Sequence, residues 1–216
     1  MNNFTLISIF ISTIGWECIN KILHKLNNKD RIYNSRYCSN IHALIIFIYS
    51  LNICYNENHN IDTTNVMNGI TAGYAIFDMY RAIKYKEVQY VIHHLVLLFA
   101  ILPAGLSEMG LYILPYNYYS LIARAFLSES STIFLNNCWL LIKNKKQNTT
   151  LFQLNCMLVL IFFTLFRIIN FTNILYILYL DRNYPFLLIQ TPLTVLNYYW
   201  YKKLIDKYIN LFYKNE

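Results

Sequence analysis

His93 and His94 stand side by side inside an apolar run, Val88 to Leu102. Ionisable side chains in a membrane or a dry core cost on the order of several kcal/mol, and they are kept mainly where they pair or act. Asp78 lies about six residues before Lys84, the end of the preceding apolar segment, and His93 about six residues after Glu87, where the next begins. At about 1.5 Å of rise per residue, both sit roughly 9 Å from the same end of their helices. The link Tyr85–Glu87 is so short that the two helices must be antiparallel neighbours, which sets Asp78 level with the histidine pair. A carboxylate beside an imidazole fixes its tautomer and supports it as a catalytic base or a metal ligand. Successive residues on a helix point about 100° apart, so one histidine can face Asp78 squarely and the other must face a different neighbour. A metal would need a third ligand. Only His42, near the start of the second helix, offers one, and the sequence therefore specifies no metal set.

A second polar group lies deeper. Arg124 and Glu129 fall on the fifth apolar segment, Arg167 on the sixth and Asn197 on the seventh. Two readings fit: hydrogen bonds and an ion pair that tie three helices together, or the polar floor of a cavity for a lipid headgroup or carbonyl. The partner of Glu129 is open between Arg124 and Arg167. Glu17 and Lys21 have the i,i+4 spacing of a structural surface pair. Arg81, close to a helix end, is expected to reach out to the surface.

The elements that carry these residues follow from composition. Of 216 residues, 56% are hydrophobic and 13% charged, about half the charged share of a soluble domain. Seven apolar segments can be marked near Phe4–Leu23, Asn40–Tyr55, Val66–Lys84, Val88–Leu102, Tyr116–Ile142, Leu151–Leu180 and Phe186–Tyr208. Each is long enough, or nearly so, to cross a hydrocarbon layer of roughly 30 Å. Lysine and arginine alternate between connections. Lys25, Lys29, Arg31 and Arg36 occupy the first, Lys84 and Lys86 the third, Lys143, Lys145 and Lys146 the fifth, and Lys202, Lys203, Lys207 and Lys214 the last stretch. Glu57 and Asp62, then Glu108, then Asp181 with Arg182 mark the other connections. Cytosolic loops are enriched in basic residues, so the pattern predicts a non-cytosolic N-terminus and a cytosolic C-terminus. The net charge of +7 is then topology and not a nucleic-acid footprint. Trp16, Trp139 and Trp200 are expected at the cytosolic interface, and Tyr112, Tyr116, Tyr118, Tyr179 and Tyr184 at the opposite one. The first segment carries Glu17 and lacks a basic leader, so it is expected to remain as a span. Five scattered cysteines without C-x-x-C give no disulfide framework. Polar residues gather from the cytosolic side to the middle, which suits a blind pocket better than a channel.

Several stretches then look familiar together. Arg36-x-x-Ser39-x-x-His42, Gly73-Tyr74 leading into Asp78, and His93-His94 resemble the TLC-domain family of polytopic endoplasmic-reticulum proteins. Glu129-Ser130-Ser131-Thr132-Ile133-Phe134-Leu135-Asn136 with Trp139 is similar to that family's fifth-helix signature. Arg167 after Phe162-Phe163, and Asn197-Tyr198-Tyr199-Trp200, resemble its last two helices. The likeness runs in order from Arg36 to about Lys203.

The resemblance implies an all-α transmembrane helical barrel of about seven spans, with a first span and loop over 1–35, the TLC domain over 36–210 and a short tail over 211–216. It includes ceramide synthases, in which a histidine pair is essential to acyl transfer from acyl-CoA to a sphingoid amine. By that likeness His93 and His94, supported by Asp78, would be catalytic. His42, Arg124, Glu129, Arg167 and Asn197 would line or brace the cavity, with no resident cofactor and acyl-CoA as a substrate. The synthases carry aspartates where this chain offers Glu129 among serines. That places it nearer the smaller family members, for which the resemblance implies roles in membrane lipid composition. Membrane lipids are the expected partners. Catalysis, lipid carriage or sensing, and cargo reception all stay open, as does the oligomeric state.

Overall fold

The computed structural model describes residues 4–27, 29, 31–56, 61–108 and 117–212. Among them the chain is all-α: α1 (Phe4–Asn27), α2 (Arg31–Tyr55), α3 (Ile61–Lys84), α4 (Val88–Glu108), α5 (Tyr118–Phe126), α6 (Glu129–Lys143), α7 (Thr150–Phe163), α8 (Asn170–Leu180) and α9 (Tyr184–Phe212). Glu57, Tyr112, Tyr116 and Lys214 lie outside the described residues.

Polarity is inverted relative to a fold built for water. Leu6, Ile7, Phe10, Ile11 and Ile14 of α1 point outward, while Ser39, Asn68, Thr71 and Asn136 are buried inside. An apolar exterior of this kind is a liability in water and the natural solvent-facing surface in lipid. α1, α2 and the continuous α7–α8 stretch are long and apolar enough to cross a membrane, and Val88–Ala104 of α4 is a shorter apolar stretch. α3 is more polar, and its position explains why it can be. It packs among α1, α2 and α4, with Met67, Asn68, Thr71, Ala72 and Ala75 wholly enclosed by protein.

α1 and α3 meet backbone to backbone. A Cβ at Gly69 would overlap Ser8, and one at Gly73 would overlap Ser12. That approach lets Ser12 Oγ donate to the Ile70 carbonyl at 3.0 Å. Small residues one turn apart are how helices in lipid gain contact area when no hydrophobic drive pulls them together.

The fifth apolar segment is not one rod. Between α5 and α6 the backbone tightens, with Leu127, Ser128, Ser130 and Ser131 N–H groups donating three residues back. Ser130 Oγ donates to Leu127 O at 2.7 Å and Ser131 Oγ to Ser128 O at 2.9 Å. Such side-chain competition for carbonyls bends helices, so the bend needs no proline at Ile133. The sixth segment stays continuous but passes through a π-helical stretch, Thr164–Ile169, between α7 and α8.

Three helix ends share one device. Lys86, Lys145 and Arg182 adopt φ of 58°, 56° and 52°. At the first, Glu87 N–H donates to Ala82 O at 2.8 Å and Lys86 N–H to Ile83 O at 3.1 Å. This paired closure usually employs glycine, and here it turns α3 directly back into α4.

Two aromatic expectations are corrected. Trp16 is 4% exposed and packs edge-on against Tyr74 and His42, at 5.4 and 5.8 Å between ring centroids. Tyr118 is 2% exposed, and its hydroxyl donates to the Ala100 carbonyl at 3.0 Å. Both rings therefore pack against protein and not against lipid, Trp16 through ring contacts and Tyr118 through a hydrogen bond as well. Tyr179 and Tyr184 are exposed.

Candidate functional site

The tight α3–α4 turn sets Asp78 against the histidine pair. His94 Nε2–H donates to Asp78 Oδ2 at 2.9 Å. Arg81, on the same face of α3 at i+3, donates to Asp78 from Nε at 2.6 Å and from Nη2 at 3.2 Å. Its Nη1 donates to Glu87 Oε2 at 2.6 Å. Arg81 therefore does not reach for the surface as its place near a helix end suggests. Two carboxylates hold it, and its side chain is 4% exposed.

An ionised carboxylate only accepts, so the bond to Asp78 requires a proton on His94 Nε2. His94 Nδ1 is buried and has no partner among the described residues. His93 points the other way. Its ring lies 5.3 Å from His94 and 5.6 Å from Trp200 on α9, and its Nδ1 also lacks a partner. Asp78 thus orients His94, while His93 presents a free ring nitrogen between α4 and α9. His42 stacks on Tyr74 at 4.1 Å, and its Nε2 is likewise unpartnered.

The deeper group assembles around Arg167, which the π-helical stretch carries inward. A π-bulge re-aims one side chain without ending the helix, a device frequent at functional sites. Arg167 donates to Ser131 Oγ at 2.8 Å, Thr132 Oγ1 at 2.7 Å and Asn197 Oδ1 at 3.2 Å. The bent start of α6 supplies the two hydroxyls. Neither Arg167 nor Arg124 approaches Glu129 within 4.0 Å, so the ion pair left open above does not form with either. Arg124 stands apart, with its carbonyl accepting from Asn170 Nδ2 at 2.7 Å.

One cavity of about 360 Å³ connects most of these side chains. That is roughly a dozen water-sized volumes, and it falls within the range of small-molecule sites. Asp78, His42, His93, His94, Glu129 and Arg167 line it, while Arg124 and Asn197 do not. Leu97, Leu135, Val159, Leu160 and Phe163 give it an apolar wall, and Lys203 and Lys207 of α9 stand toward the basic end. The helices converge there: Asn144 Nδ2 donates to Tyr33 Oη at 2.9 Å, and Trp200 Nε1 donates to Gln89 Oε1 at 3.2 Å.

The candidate site residues named from the sequence leave out part of the lining. Arg36, Tyr90, Asn136, Trp139 and Trp200 all border the cavity, as do Cys138 and Cys156, whose sulfurs lie 3.7 Å apart. The signal for Arg36 was present. Arg36, Ser39 and His42 recur every third residue, which puts them on one helix face. Among the described residues no three His, Cys, Asp or Glu side chains converge on a metal position.

A family profile described as TLC domain (TRAM_LAG1_CLN8) matches residues 32–206. No curated protein and no solved structure matches the chain.

Proposed function

The chain belongs to the TLC-domain family of membrane proteins, a family linked to lipid metabolism, and on that premise we propose that its cavity holds an acyl-chain amphiphile and thereby adjusts membrane lipid composition. One observation carries the reading. A single cavity places unpartnered histidine nitrogens beside an apolar wall formed by Leu97, Val159, Leu160 and Phe163. Apolar lining with a few convergent polar groups suits a molecule that is mostly hydrocarbon and has one reactive or polar end.

The protein is read as multi-pass, with the Lys84–Lys86 turn, the Lys143–Lys146 turn and the end of α9 facing the cytosol. Endoplasmic reticulum or a derived membrane is the proposed residence. The cavity then opens toward the cytosol, where activated acyl groups would arrive.

A second reading, acyl-CoA-dependent acyl transfer, draws on His93. His93 lines the cavity with its buried Nδ1 unpartnered, while Asp78 positions the adjacent His94. A base needs a free lone pair within reach of the proton it removes. The experiment is a lipidome of host membranes expressing the wild-type chain or His93→Ala/His94→Ala at matched protein level. Acyl transfer predicts a lipid class that changes with the wild type and reverts with the double variant. A change that survives the variant assigns binding or carriage instead. Unaltered lipids in both would remove the lipid-composition reading.

A further inference from the structure

Among the described residues, Arg36 is the arginine of the cavity that lacks a strong partner. Arg81 has Asp78 and Glu87, and Arg167 has three neutral oxygens. Arg36 has one long contact, Nη1 to Asn136 Oδ1 at 3.5 Å, and no carboxylate partner among the described residues. Its Nε is buried and unpartnered, and so is Nδ2 of Asn136, a residue only 2% exposed. Both residues line the cavity. Two buried donors on facing helices, without acceptors among the described residues, suit an oxyanion.

The surroundings fix the guanidinium in place. It lies between the rings of Tyr90 at 5.6 Å and Trp139 at 5.4 Å, an arrangement that holds the plane of Arg and leaves its edge free to donate. Charge favours an anion too: Arg36, Arg81, Arg167, Lys203 and Lys207 border the cavity against Asp78 and Glu129. A carboxylate would need only one of these cations, whereas a phosphate presents more acceptor oxygens to a fork and an amide at once.

Position decides which phosphate. Tyr90, whose ring the Arg36 guanidinium contacts at 5.6 Å, precedes His93 by three residues on α4, so Arg36 and the histidine pair border the same part of the cavity. In acyl-CoA the whole pantetheine arm separates the thioester from the nearest phosphate. In a phosphoglyceride the phosphate and the acyl esters share one glycerol. We propose that Arg36 and Asn136 form the phosphate subsite of a phosphoglyceride, with its acyl ester toward His93 and its chain along Val159, Leu160 and Phe163. This rests on the cavity being an amphiphile site.

The test is affinity of the purified full-length protein for a matched pair, monooleoylglycerol phosphate and monooleoylglycerol, with oleoyl-CoA as a third probe. The wild type is expected to favour the phosphate by about 10- to 100-fold, the worth of charge-assisted hydrogen bonds. Arg36→Gln should abolish that preference while leaving monooleoylglycerol and oleoyl-CoA affinities unchanged. Retained monooleoylglycerol binding also certifies that the variant is folded, and the wild-type pair is decisive by itself if it is not. Equal wild-type affinity for the matched pair overturns the phosphate subsite and leaves the amphiphile cavity standing. Failure of all three probes to bind overturns both. An equal loss of oleoyl-CoA affinity in Arg36→Gln overturns the assignment to a phosphoglyceride.

Discussion

Replacing Asp78 with alanine should expose how the site is held together. The carboxylate accepts three hydrogen bonds, two from Arg81 at 2.6 and 3.2 Å and one from His94 at 2.9 Å. Its side chain is 8% exposed, so bulk water replaces them poorly. Breaking a buried pair by removing one partner costs about 3–5 kcal/mol, because the surviving charge stays buried. Two features favour the low end, about 3 kcal/mol: Arg81 keeps Glu87, and it lies within the last turn of α3, where a long side chain can reorient toward water. Removing both charges at once, as in Asp78→Ala/Arg81→Met, should restore part of the loss, since the charge left behind, Glu87, is 30% exposed and can turn to water. The assay is unfolding of detergent-purified protein, followed by tryptophan fluorescence, for both single variants and the double. The reasoning predicts a coupling of about 1–3 kcal/mol between the two positions. Strict additivity, or an Asp78→Ala cost under about 0.5 kcal/mol, would mean that the pair is hydrated and does not anchor His94.

Three further outcomes follow from other parts of the fold. Gly73→Ala should destabilise by about 1–3 kcal/mol, because the new methyl meets Ser12 and the backbone of Thr13, and a melting temperature equal to wild type would contradict the close α1–α3 contact. Lys86→Gly should stabilise by about 0.5–1 kcal/mol by removing the cost of a left-handed backbone at φ 58°, and unfolding measurements showing a loss would refute that closure. Arg167→Lys keeps the charge but cannot reproduce the fork to Ser131, Thr132 and Asn197, so it should cost about 1.5–3 kcal/mol, and a neutral result would show that those bonds are replaceable.

The sequence made the Asp78–histidine juxtaposition readable for a simple reason. A three-residue turn leaves two helices one arrangement, and counting residues from it gives depth directly. That one histidine alone faces Asp78 was readable too, from the angle between adjacent helix positions. Burial was not. Arg81 looked peripheral by its distance from a helix end, but depth along an axis says nothing about which face a side chain occupies. Trp16 and Tyr118 were misplaced for the same reason. Their amphipathic rings suit an interface, yet ring contacts for Trp16 and a hydrogen bond for Tyr118 hold them inside the bundle. The bend at Leu127–Ser128 and the π-helical stretch around Arg167 depend on which carbonyls the serines and neighbouring helices capture, and hydropathy does not carry that information. Arg36 was counted as a loop charge, though its spacing to Ser39 and His42 put it on the cavity face.

Native mass spectrometry of the full-length protein released from its own membrane tests the central claim most directly. An amphiphile-binding cavity predicts one acyl-bearing molecule bound per chain, and its loss in Leu160→Trp, which fills the apolar wall while leaving the histidines in place. A bare protein, or the same bound lipids in wild type and Leu160→Trp, would contradict it.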